Sequence, residues 1–154
     1  MAADYIKLIA TNKKARHNYH IDEEYEAGMV LVGSEVKAIR EGRVSFQDAY
    51  ADIKRGEVFL RQLHISPYKF AYNDNHEPLR TRKLLLHKRE ISKLIGKIKE
   101  RGYTLVPLKI YFKNDKIKVL LGLGKGKKLY DKRQDIKERD VKRDLDRERK
   151  KYST

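Results

Sequence analysis

No cysteine occurs among the 154 residues, which excludes disulfide staples and thiolate metal sites. Long apolar runs are missing too. The opening stretch, MAADYIKLIATNKKARHNYH, holds no apolar segment of the about 7–15 residues a secretory signal needs. Nowhere does the chain approach the roughly 18 consecutive apolar residues of a membrane-spanning helix. No internal repeat or low-complexity block is present. These absences lead to the expectation of a soluble, cytoplasmic protein with no membrane partner. Acidic residues are the other shortage. Asp and Glu number 22 against 37 Lys and Arg, a formal net charge of +15 with 38% of the chain charged. For so small a protein, that imbalance points to a polyanionic partner, above all nucleic acid.

What is present divides into three zones. Residues 1–11 read as a flexible N-terminal arm. Residues 12–124 carry nearly all the apolar pattern and predict one domain. Residues 125–154 hold thirteen basic and seven acidic residues, leaving +6, and read as a charged tail.

Within the middle zone RHNYHI alternates as a strand does, and EAGMVLVG is a second apolar run. SEVKAIREG spaces Val36 and Ile39 as a short helix would, with Ser34 to cap it and Gly42 to end it. DAYADIKRGEVFLRQLHI predicts a hairpin about a Lys-Arg-Gly turn, and SPYKFAYNDNHEP predicts a loop. HKREISKLIGKIKERG is the clearest helix: Ile91, Leu94, Ile95 and Ile98 fall on one face, and Gly102 stands where a left-handed cap would. LVPLKIYFKNDKIKVLLGL predicts a second hairpin. Its Leu108, Ile110 and Phe112 face one way and Asn114-Asp115 make the turn. Together these elements predict a mainly β protein, an antiparallel barrel of the oligonucleotide-binding (OB) type with flanking α-helices, since closure removes exposed strand edges.

Few residues fit catalysis. GLGKGK lacks the second glycine of a phosphate loop, because Lys127 stands in its place. His17 and His20 lie near Asp22, Glu23 and Glu24. On a strand, however, the two imidazoles would point to opposite faces, against a shared metal. No metal, cofactor or catalytic residue is therefore expected, and an RNA-cleaving enzyme using the two histidines is the disfavoured reading. Glu23, Glu24 and Glu26 form the acidic knot of the domain. In a cationic surface such a carboxylate can accept hydrogen bonds from the edge of guanine. Basic residues gather at Lys13-Lys14-Arg16, Lys37-Arg40, Arg80-Arg82-Lys83 and Lys125-Lys127-Lys128, a distribution that suits an RNA-binding groove. Tyr19, Tyr25, Tyr68, Tyr72 and Tyr111 are not spaced as a stacking platform.

From Asp131 onward Asp135–Arg139, Glu138–Lys142 and Asp146–Lys150 stand at i, i+4, each pair contributing about 0.3 kcal/mol to a helix. Ile136, Val141, Leu145 and Tyr152 are too few to pack it. The expectation is a tail disordered alone and helical when held. As a helix, residues 131–153 would span about 35 Å.

Several stretches, in order, resemble one family: NKKARHNYHIDEEYEAGMVLVGSEVKAIREGRVSF, RTRKLLLHKREI, LVPLKIYF and GKGKKLYDKRQDIKERD are similar to the SsrA-binding protein (small protein B) family of bacteria. The likeness runs from about Asn12 to Asp140. It implies an oligonucleotide-binding barrel and a non-enzymatic adaptor. The adaptor binds the tRNA-like domain of transfer-messenger RNA (tmRNA) and delivers it to stalled ribosomes for trans-translation. Alanyl-tRNA synthetase and elongation factor Tu meet such an adaptor through the RNA. By motif, Asn12, Lys13, Glu26, Leu85 and Lys118 match positions that hold the tRNA-like domain, and Lys125, Lys127 and Lys128 match the basic strand exit. Tyr130, Asp131, Lys132 and Arg133 match the tail signature for the decoding centre of the small subunit, whose empty mRNA channel the tail would enter. Arg16, Lys37, Arg40, Arg80 and Lys83 complete the expected RNA contacts. Nothing in the sequence demands more than a monomer. The alternative is a general single-stranded RNA-binding barrel.

Overall fold

A computed structural model of the chain describes residues 5–71, 73–100 and 102–127. In chain order the elements are β1 (Ile6–Thr11), α1 (Lys13–Asn18), β2 (Tyr19–Met29), α2 (Gly33–Arg40), β3 (Val44–Ser45), β4 (Tyr50–Lys54), β5 (Glu57–Arg61), β6 (His64–Ile65), β7 (Arg82–Leu85), α3 (Lys88–Lys99), β8 (Tyr103–Lys113) and β9 (Lys116–Gly126).

The two local hairpins form where the turn chemistry puts them. Arg55 and Gly56, both at positive φ (55° and 74°), join β4 to β5, the twist that a tight hairpin requires. Asn114, at φ 55°, opens the turn between β8 and β9. Long-range antiparallel pairings then run in a ring, β8 to β4, β5, β7, β2, β9 and back to β8. This is the expected barrel with helices. Among the described residues each strand of the ring has a partner on both sides, although β4 meets β8 at the single pair Ala51↔Leu105, and their inward side chains share one core.

That core holds Tyr25, Ala27, Val58, Leu60, Leu84, Leu105, Ile110, Val119, Leu121 and Leu123, joined by Ala38 and Ile39 of α2 and by Leu94 of α3. Leu94 has no exposed surface, and Ile91 and Ile98 pack beside it. Burying one such leucine contributes about 1.5–3 kcal/mol. Both longer helices begin with a glutamate in their first turn accepting the N–H just before the helix. Val32 N–H donates to Glu35 Oε1 at 2.9 Å, and His87 N–H donates to Glu90 Oε1 at 3.2 Å. Glu35 thus replaces the cap expected from Ser34, whose hydroxyl bonds His76 Nδ1 at 2.8 Å.

Three readings of the sequence need correction. Ile6–Thr11, placed in a flexible arm, is a strand paired with β8 from Ile6↔Lys113 to Thr11↔Lys109. Its partner lies too far along the chain for local pattern to reveal. RHNYHI is divided: Arg16, His17 and Asn18 end α1, and β2 starts at Tyr19. Ala15 drives this, since it packs on Val106 and Leu108 in a second apolar cluster. Leu108 does not share a side with Ile110. The register moves from Pro107↔Leu121 to Lys109↔Leu120, so Leu108 is an extra residue in a bulge. Proline, which has no N–H to give a ladder, suits that place. The bulge turns Val106 and Leu108 toward α1, while Leu105 and Ile110 enter the barrel.

Candidate nucleic-acid interface

On the outer side of the barrel, four strands bring distant residues into line. Gly28 of β2 lies opposite Leu85 of β7 and Lys118 of β9, and Lys118 lies opposite Tyr111 of β8. Alternation places Glu26, two residues before Gly28, on the same face. The Lys118 ammonium lies close over β2 at Gly28. A Cβ on Gly28 would stand 3.7 Å from Lys118 Nζ and 3.5 Å from Leu85 Cβ. Leu85 is 54% exposed, an apolar side chain presented to solvent beside a cation.

Glu26 is held from β8. Tyr111 donates its hydroxyl to Oε2 at 2.5 Å, and Lys113 donates from Nζ to Oε1 at 3.2 Å. The Tyr111 hydrogen bond leads in drawing the Glu26 carboxyl below its ordinary range. Burial opposes it, while Lys113 and Lys118 assist. The Tyr111 hydroxyl is pushed up in turn, first by burial and then by Glu26. A charged carboxylate is thereby fixed in a cationic neighbourhood.

The patch continues toward α1. Leu120, opposite Glu26 in the ladder, lines a depression of 350 Å3 together with Leu8, Asn12, Lys13, Arg16, Glu24 and Lys109. Asn12 fixes the start of α1, its amide donating to the Pro107 carbonyl at 2.9 Å. Arg16 pairs with Glu24, both more than 40% exposed. Six of the residues singled out by sequence are therefore gathered on one face: Asn12, Lys13, Arg16, Glu26, Leu85 and Lys118.

The remaining candidates lie elsewhere. Lys37 and Arg40 are on α2, where their cationic ends stand over the rings of Tyr68 (5.4 Å) and Phe112 (6.0 Å). Arg80 bonds Glu35 and the Val30 carbonyl, and Lys83 pairs with Glu57 at 3.2 Å. Arg82, grouped by sequence with the RNA-facing cations, has no exposed surface and is bound to Glu35. Lys125 stands over the Tyr103 ring at 4.6 Å, and the Lys127 N–H reaches the Asn18 carbonyl at 2.8 Å. Lys128, Tyr130, Asp131, Lys132 and Arg133 lie outside the described residues, as does nearly all of the proposed tail.

Among the described residues no group of three or more His, Asp or Glu is placed to hold a metal, and none of the helices is long and apolar enough to cross a membrane. Gly124 of GLGKGK has a packing reason. A Cβ on Gly124 would come within 2.2 Å of the His20 carbonyl oxygen, so the close approach of β9 to β2 requires glycine there.

Comparison with known proteins decides the family. A family model described as SmpB protein matches residues 9–151. The chain belongs to the SmpB family. An SsrA-binding protein of Geobacillus sp. (strain WCH70) is 62% identical over 141 residues, covering 92% of this chain and 91% of that one. The SsrA-binding protein of Bacillus subtilis (strain 168) is 60% identical, covering 92% and 90%. A chain in a solved structure described as "tmRNA-SmpB: a journey to the center of the bacterial ribosome" superposes with a TM-score of 0.66 at 50% identity, covering 78% of this chain and 85% of that one. The SmpB match spans α1, every strand of the ring and the tail alike.

Two members of the outer face were not singled out as site residues by sequence, Lys113 and Tyr111. Tyr111 was set aside for lack of a stacking spacing. The signal was its phase: it alternates with Ile110 and Phe112, which face the core, so its hydroxyl reaches the outer surface.

Proposed function

We propose that this chain is a non-enzymatic RNA-binding adaptor of trans-translation, which holds the tRNA-like domain of tmRNA and carries it to stalled ribosomes. Membership of the SmpB family supports the reading, as do the names of its relatives. The observation that carries it is the Glu26, Leu85 and Lys118 cluster on three adjacent strands. It offers a fixed acceptor, an apolar surface and a cation within one small area, the set needed to meet a base edge, a ribose or base face and a phosphate together.

In this account Asn12, Lys13, Arg16, Glu26, Leu85 and Lys118 hold the RNA. Lys37, Arg40, Arg80 and Lys83 add longer-range attraction. Lys125, Lys127 and Lys128 follow the RNA backbone at the strand exit. The tail enters the empty mRNA channel of the small subunit, with Tyr130 stacking and Asp131, Lys132 and Arg133 engaging the decoding centre. Elongation factor Tu and alanyl-tRNA synthetase meet the protein through tmRNA. The protein acts as a monomer in the cytoplasm, without cofactor.

Incubating labelled tmRNA with the protein tests the proposal against its rivals. The adaptor binds tmRNA in preference to bulk messenger RNA and leaves it intact. Equal binding of both marks a general single-stranded RNA binder, and fragments mark a nuclease.

A further inference from the structure

Glu26 presents a physical problem. A carboxylate on a surface that meets RNA repels phosphates, and an unrestrained one turns toward the nearest lysine and is lost as a specific acceptor. Two side chains of β8 remove both difficulties. Tyr111 holds Oε2 with a 2.5 Å hydrogen bond and Lys113 holds Oε1 at 3.2 Å, so each oxygen is engaged from the same side. A carboxylate has about four lone-pair directions. These two bonds use about half of them and leave the rest for other donors, on a side chain 36% exposed.

We propose that Tyr111 and Lys113 are positioning residues for RNA recognition: from β8 they lock the Glu26 carboxylate so that its remaining lone pairs accept N–H groups of an unpaired base. The proposal rests on the outer face being the RNA-binding surface and adds residues to it. The tyrosine is suited to the task because Tyr111 is 5% exposed. Its ring is fixed in the strand, so its hydroxyl has little freedom to lose. The lysine supplies the compensating charge. Lys113 and Lys118 flank Glu26 from β8 and β9, while Glu24 on its own strand is the facing acid and is engaged by Arg16. The carboxylate therefore acts as an acceptor inside a cationic field and not as a net repulsive centre. Its ligand is an N–H edge, such as that of guanine or cytosine, and not a phosphate oxygen.

The test is a double-mutant cycle on the full chain with the tRNA-like domain of tmRNA as the probe. Tyr111→Phe keeps the ring and removes only the hydroxyl. It should weaken binding roughly threefold to tenfold, the effect of losing one hydrogen bond that orients the acceptor, and have no further effect in a Glu26→Ala background. Lys113→Gln should behave in the same non-additive way. In the protein without RNA, the Glu26 side-chain carboxyl signal, followed by carbon NMR, should titrate at higher pH in Tyr111→Phe than in the native chain. That shift verifies the hydrogen bond in the free protein, and the non-additive loss of affinity assigns it to recognition. Native affinity in Tyr111→Phe, or an equal loss in both backgrounds, would overturn the proposal. A native chain that shows no preference for the tRNA-like domain would instead overturn the adaptor function, and the two failures are distinguishable.

Discussion

The Glu35 carboxylate and the Arg82 guanidinium, neither with any exposed side-chain surface, meet at 2.5 Å between α2 and β7. Arg80 reaches the other oxygen of Glu35 at 2.5 Å. Arg82 also donates to the carbonyl of Leu63 and, at 3.1 Å, to that of Pro78. One buried cation thus ties a helix, a strand and the connection between β6 and β7, and it is satisfied within the protein.

Arg82→Met should therefore cost stability. Glu35 would keep Arg80 but lose its fully buried partner, and the Leu63 and Pro78 carbonyls would lose their donor, a loss of about 3 kcal/mol, the lower end for a broken buried pair. Urea denaturation would measure it. Binding of tmRNA per folded molecule should hardly change. A stable variant that binds RNA poorly would return Arg82 to the RNA-facing set.

Acid should expose the same contact. Burial pushes the Glu35 carboxyl up, but hydrogen bonds from Arg80, the Val32 N–H and Arg82 outweigh it, and the pKa falls below the ordinary 4.5. A group with a depressed folded pKa contributes stability above its unfolded pKa and loses it as the pH falls through the folded one. Stability should decline below pH 4.5, and Glu35→Gln should flatten that decline while lowering stability at neutral pH. An acid limb of unchanged steepness in the variant would contradict the assignment.

Gly124 and Gly126 lie two residues apart on β9 and should respond oppositely to alanine. A Cβ on Gly124 meets the His20 carbonyl oxygen at 2.2 Å, whereas one on Gly126 meets nothing within 4 Å. Gly124→Ala should lose about 1–3 kcal/mol through forced separation of β2 and β9. Gly126→Ala should stay within about 0.5 kcal/mol of native. Thermal unfolding of the two variants side by side checks the contrast.

How much of this was legible in the sequence depended on the distance between partners. The hairpins about Arg55-Gly56 and Asn114-Asp115 and the helix through Leu94 are local, and turn residues and periodicity disclosed them. The β1 strand and β7 are short and gain their identity only from partners elsewhere. Arg82 read as a surface cation because Glu35 lies 47 residues away. Glu26, Leu85 and Lys118 enter singly, through the family resemblance, and nothing local places them side by side. The hydroxyl that positions Glu26 belongs to Tyr111, 85 residues on, and only barrel closure joins them. The bulge at Leu108 shifted the phase of β8 in a way no alternation count reveals.

Charge bookkeeping separates the roles on the outer face. Lys118→Ala should weaken tmRNA binding and lower the slope of log affinity against log salt by about one, as loss of one phosphate contact does. Glu26→Ala should weaken binding with the slope nearly unchanged, although it removes a negative charge. Tighter binding by Glu26→Ala would reduce the site to simple electrostatics.

Removal of residues 131–154 should leave binding of the tRNA-like domain nearly intact and abolish tagging on stalled ribosomes. An in vitro translation assay on a message without a stop codon reads the second effect directly. Full tagging by the truncated chain would contradict the role proposed for the tail.

The most direct test of the central claim is an NMR shift map of the protein as the tRNA-like domain of tmRNA is added. The account predicts changes centred on Glu26, Gly28, Leu85, Tyr111 and Lys118, spreading to Asn12 and Lys13. Unchanged signals at those residues, with changes confined to the side of α2 that carries Lys37 and Tyr68, would contradict it.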